Sequence, residues 1–140
     1  MKTNTINGLM FMIAGLTPFV VYLGLGPDGT ALLSAARTEQ LFAYLFFSFP
    51  IAVMMTRKIE NNYLTDAGLL ILVASSSMGM VADALGAHAD LSQVSDAVSI
   101  TAYSSVMLGA LLYGLGAFQT SIFPKWLSGL FAGVAGAAFI

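Results

Sequence analysis

The chain contains no cysteine among its 140 residues. That absence removes disulfides, thiolate nucleophiles, iron-sulfur clusters and zinc-thiolate sites together, and it leaves the redox compartment unread. Charge is scarce as well. Lys, Arg, Asp and Glu make up 9% of the residues, against about a quarter in a soluble domain. Five Lys and Arg spread along the chain, with a formal net charge of -2, cannot build the basic patch that a phosphate backbone requires. Nucleic acid is therefore excluded as a partner. Internal repeats and low-complexity segments are also missing.

What the chain has in quantity is apolar surface, at 58% of its residues, and its few charges fall between long apolar runs. These runs read as Gly8 to Leu25, Gln40 to Met55, Leu64 to Leu85, Val98 to Phe118 and Trp126 to Ile140. In lipid every backbone amide has to be bonded within its own segment, so each run is predicted to be helix. A run of about 20 residues, rising about 1.5 Å each, crosses a hydrocarbon core of about 30 Å. The predicted fold is all-α, a single-domain polytopic transmembrane bundle of five spans, or four if the last run lies at the interface. The first run exceeds the usual length of a signal-peptide core and is taken as a span. Pro18 and Pro50 fall inside the first two runs, where each removes a backbone donor and predicts a kink. The stretch Asp90-Leu91-Ser92-Gln93 predicts a short interfacial helix capped by Asp90.

Orientation follows from the basic residues. With five spans, Lys2, Arg57, Lys58 and Lys125 fall on one side and Arg37 on the other. The positive-inside rule then puts the N-terminus in the cytoplasm of a cell-membrane protein. Glu60 and Asp66 share that side, while Asp28, Glu39, Asp83, Asp90 and Asp96 make the outer side acidic. Arg57, Lys58, Lys125 and Trp126, with Tyr63, stand where anchors to the inner interface are expected.

Small residues recur at helix-packing spacing. Gly129 and Gly133 form a GxxxG with Gly136 close by, Ala102, Gly109 and Gly116 form a seven-residue stripe, and Ser75, Gly79 and Asp83 follow at intervals of four. Such faces let helix backbones approach in lipid, either within one bundle or against a partner subunit. Ser75, Ser76, Ser77, Ser99, Thr101, Tyr103, Ser104 and Ser105 make the third and fourth runs more polar than the rest. They suit interhelical hydrogen bonds or the lining of a solute path.

Other constellations are thinner. His88, Asp90 and Asp83 bring one imidazole near two carboxylates and are the candidate metal ligands at the outer face, although their spacing is no known ligand pattern. Met10 with Met12, and Met78 with Met80, invite copper, but residues two apart on a helix point about 200° away from one another and cannot chelate one ion. Asp66 lies near an interface, where capping a helix or facing water is expected of it, and Asp83 is the better buried carboxylate. No catalytic group and no cofactor other than that metal is predicted.

The stretch Ile122-Phe123-Pro124-Lys125-Trp126-Leu127-Ser128-Gly129-Leu130, followed by Ala132-Gly133, resembles the entry to a late span in a group of uncharacterised multi-span prokaryotic membrane proteins. In that group a Pro, a basic residue and a Trp-Leu pair precede a Gly-rich helix. The resemblance implies a multi-span membrane protein and brings no activity with it. It also implies a longer chain, in keeping with a last run that ends without a polar flank. The function expected from all of this is a non-catalytic accessory or structural subunit, with the lipid bilayer and other membrane subunits, or itself, as partners. The alternatives are a small solute or ion carrier that uses Asp83 and the hydroxyls of the third and fourth runs, and a subunit that contributes to an outer-face metal site.

Overall fold

The computed structural model describes residues 3–25, 41, 44–57, 60, 62–86, 88–120 and 122–139. Among the described residues it is all-helical, with five α-helices and no strand. They are α1 (Thr3–Leu25), α2 (Ser48–Thr56), α3 (Tyr63–Gly86), α4 (Ser92–Gln119) and α5 (Lys125–Phe139), and a 3-10 turn (Ala89–Leu91) joins α3 to α4. Two helices, α3 with 24 residues and α4 with 28, are long and apolar enough to cross a membrane. At about 1.5 Å per residue they reach about 36 and 42 Å. α2 and α5, with 9 and 15 residues, are shorter.

Local chemistry explains several element boundaries. α1 remains helical through Pro18. Ahead of α2 the helical turn at residues 44–46 is interrupted at Phe47, and the helix resumes at Ser48. Pro50 lies just downstream; it has no amide proton for the carbonyl four residues back, and its ring crowds that carbonyl. The Ser48 hydroxyl donates to the Leu45 carbonyl at 2.5 Å. α4 begins at Ser92, well before the apolar run at Val98. Hydropathy marks where lipid begins, whereas helix propagates through compatible polar residues, and here Ser92, Gln93 and Asp96 are exposed. The separate short helix expected at Asp90 is instead a single 3-10 turn that follows His88 and runs directly into α4, with no side-chain cap at His88 or Leu91.

α1 packs on α2 and α2 on α3, while α4 lies between α3 and α5 and runs antiparallel to both. The core draws on Val53 of α2, Leu69 and Leu72 of α3, Val106, Ala110, Tyr113 and Ala117 of α4, and Ala135 of α5. Phe11, Phe46, Phe49, Phe123 and Phe131 close around it. Phe49 meets Phe11 edge-on at 6.2 Å and Phe131 at 6.1 Å, so α1, α2 and α5 share one aromatic contact zone.

Glycine sets the separation of α3 and α4. A Cβ added at Gly68 would stand 2.6 Å from the Tyr113 backbone nitrogen and 2.7 Å from the Gly109 carbonyl oxygen. One added at Gly116 would stand 2.7 Å from the Thr65 backbone nitrogen, and one at Gly109 3.1 Å from the Gly68 carbonyl oxygen. The two backbones touch along this seam. α5 sits almost as close to α4, since a Cβ at Gly114 would lie 3.0 Å from the Ala132 backbone.

These contacts predict that Gly68→Ala forces two backbones apart and destabilises the protein by about 1–3 kcal/mol, the range for overpacking a tight interior. Thermal unfolding in detergent should show a lowered Tm for Gly68→Ala. Gly133→Ala, whose added Cβ meets nothing within 4 Å, should leave Tm unchanged or slightly raised.

Candidate functional site

The end of the bundle where α2 and α4 finish and α3 and α5 start carries the densest polar network among the described residues. Asn62 is its centre. Its Oδ1 accepts from the Thr65 amide at 3.0 Å, and the Thr65 hydroxyl oxygen accepts from the Asn62 amide at 2.8 Å. This reciprocal arrangement covers amides that a helix start leaves open. The other end of the same carboxamide faces α4: Nδ2 donates to the Gly116 carbonyl at 3.3 Å and to Gln119 Oε1 at 3.2 Å. One side chain thus serves the orphan donors of one helix and the orphan acceptors of its antiparallel neighbour. Only the absence of a side chain at Gly116 permits this, because a Cβ there would stand 2.8 Å from Asn62 Oδ1.

Beside it, Thr56 and Arg57 at the end of α2 reach two different helices. The Thr56 hydroxyl donates to the Val53 carbonyl at 2.6 Å. Its one proton is then committed, so the Tyr113 hydroxyl is the donor in the 2.6 Å contact between Tyr113 Oη and Thr56 Oγ1. Both residues are 1% exposed. Arg57 Nε pairs with Asp66 Oδ1 at 2.9 Å, with the two side chains 47% and 41% exposed. Asp66 sits in the first turn of α3, where a carboxylate complements the helix dipole.

Interfacial residues cluster at the same end. Tyr63 opens α3 and is 76% exposed, Trp126 is the second residue of α5 and is 71% exposed, and Lys125 Nζ lies 5.9 Å from the centre of the Phe118 ring. Arg57 and Lys125 are therefore brought to one level with Trp126, while Lys58 lies outside the described residues. So do Lys2 and Arg37, and with them part of the charge count behind the orientation.

The small-residue faces divide. Ala102, Gly109 and Gly116 are all buried along α4. Gly129 lies 3.5 Å, measured from a notional Cβ, from the Phe118 ring, and Gly136 the same distance from Leu111. Gly133 and Gly79 meet nothing within 4 Å. Ser75 is buried, and its hydroxyl returns to the Ile71 carbonyl at 2.7 Å.

At the opposite end His88 and Asp90 are exposed and Asp83 is half-buried. Among the described residues no three His, Asp or Glu side chains gather closely enough to hold a metal ion. Ser95 links the helices here by donating to the Ala82 carbonyl at 2.9 Å. The hydroxyls proposed for a solute path turn back to their own helices where their bonds are described, with Ser77 donating to the Val73 carbonyl and Thr101 to the Ala97 carbonyl.

Sequence reasoning passed over Asn62, Thr56, Gly68, Tyr113 and Gly114. The signal for Asn62 was available, as an Asn three residues ahead of a Thr at the start of an apolar run. Comparison with protein-family models, with curated proteins and with solved structures finds no match to this chain.

The double role of Asn62 predicts graded losses. Asn62→Ala removes both the cap and the tie to α4 and should lower stability by about 1–2 kcal/mol. Asn62→Asp retains a capping acceptor and loses the donor to Gly116, so its Tm should fall between those of the wild type and the alanine variant in thermal unfolding.

Proposed function

We propose that this chain is a multi-pass protein of the cytoplasmic membrane, with its N-terminus inside, acting as a non-catalytic accessory or structural subunit of a larger membrane complex. The observation that carries this reading is how the polar side chains are used. Asn62, Thr65, Ser75, Ser95 and Thr56 bond to helix ends, backbone carbonyls and one another. Such bonds hold a shape. The apolar remainder supports a lipid surround: Met12, Leu16, Phe19, Leu70, Val81, Ile100, Leu130 and Val134 all point outward. In water so continuous an apolar exterior would associate, whereas in a bilayer it is solvated.

Under this reading α1, α2 and α5 complete the span set begun by α3 and α4, and the end that carries Arg57, Lys125 and Trp126 meets the inner leaflet. Gly133 lies on an outward face of α5 with Leu130 and Ala137, where another helix can approach closely. The carrier alternative gains no support from hydroxyls bonded within their own helices. A metal role gains none from the exposed His88.

Two measurements test the proposal. Solubilised in mild detergent, the protein should co-purify stoichiometrically with other membrane proteins; a stable monomer or homodimer alone would count against the subunit role. For the orientation, an impermeant maleimide added to intact cells should label Asp90→Cys at once and Lys125→Cys only after permeabilisation. Labelling of both from one side would overturn the topology.

A further inference from the structure

We propose that α1 and α2 form a body distinct from the α3–α4–α5 unit, and that a two-point latch at the end of α2, Thr56 on Tyr113 and Arg57 on Asp66, holds the two together. The proposal concerns motion within the chain; it rests on the membrane reading and not on the subunit role.

Its starting point is a difference in how the helices are joined. α3, α4 and α5 meet by backbone contact at Gly68, Gly109, Gly114 and Gly116, and α3 is tied to α4 by hydrogen bonds at both ends, through Asn62 and Ser95. Neither Gly8 nor Gly15 of α1 makes such a contact, since a Cβ at either meets nothing within 4 Å. The described contacts of α1 and α2 with the larger unit include ring packing and aliphatic burial: Phe11 edge-on to Phe123, Phe49 tilted against Phe131, and Val53 in the core.

In lipid that difference decides which contacts hold. Acyl chains solvate an apolar face almost as well as another helix does, so separating Phe49 from Phe131 costs little. Acyl chains replace neither an interlocked backbone nor a hydrogen bond. Among the described contacts, what lipid cannot substitute between the two bodies includes the Tyr113–Thr56 bond and the Arg57–Asp66 pair. These come from consecutive residues and grip α4 and α3 respectively, so the end of α2 is clipped across the seam between them. The ion pair is half-exposed and individually weak, which leaves the buried hydroxyl pair as the stronger point. Release would uncover Tyr113 and Phe131.

The chain lacks cysteine, so spin labels can be placed at will. The test uses the full chain in phospholipid nanodiscs, with labels on Met12→Cys and Leu130→Cys to report α1 against α5, and on Leu70→Cys and Leu130→Cys to report α3 against α5. All three positions are exposed. Pulsed dipolar spectroscopy should show a longer-distance population in the α1–α5 pair that grows roughly three- to tenfold when Tyr113→Phe and Asp66→Asn are combined, as expected for losing a hydrogen bond of this kind in lipid. The α3–α5 pair should be unaltered by the same changes. An α1–α5 distribution identical to that of the unsubstituted background overturns the proposal. So does equal broadening of both pairs, which would mean that the whole bundle loosens as one body.

Discussion

The contact of two helix backbones at Gly68, Gly109 and Gly116 governs the arrangement of everything around it. Without side chains at these positions, α3 and α4 come close enough for the Asn62 carboxamide to reach the Gly116 carbonyl. The same approach turns Tyr113 toward the end of α2, where its hydroxyl meets Thr56. A wider seam would leave the last carbonyls of α4 and the first amides of α3 to find partners separately. A buried polar group left without a partner costs about 1–3 kcal/mol.

A second consequence concerns what kind of protein this is. Asn62, Thr65, Ser75 and Ser95 close helix ends and neighbouring carbonyls, while Asn7 Oδ1, Ser76 and Ser128 are buried without a partner, and many large apolar side chains face outward. Side chains arranged in this way give the molecule a defined shape and a surface suited to other helices or lipid tails.

Much of the helical content was legible in the sequence, because the long apolar runs at Leu64 to Leu85 and Val98 to Phe118 leave lipid-borne chain no alternative to helix. The α4 stripe was legible as well, since residues seven apart share a helix face and Gly109 and Gly116 lie on the buried one. Gly79 and Gly133 show the limit of that logic. Their spacing is just as regular, but whether a small-residue face is covered depends on where the other helices run. Gly68 and Tyr113 escaped notice because their importance lies in a partner some forty residues away that no local pattern encodes. Asn62 and Thr56 escaped because a polar residue between two apolar runs looks like part of a solvated turn, when here one ties two helix ends together and the other is buried.

The position of Asn62 bears on the order in which the molecule is made. Its partners at Gly116 and Gln119 lie at the far end of the next helix, and none belongs to α5. Once the chain through residue 119 is free of the ribosome, the bonds that Asn62 and Ser95 make between α3 and α4 can form without α5. α5 then arrives at a surface already built, finding at Gly114 a notch into which Ala132 fits.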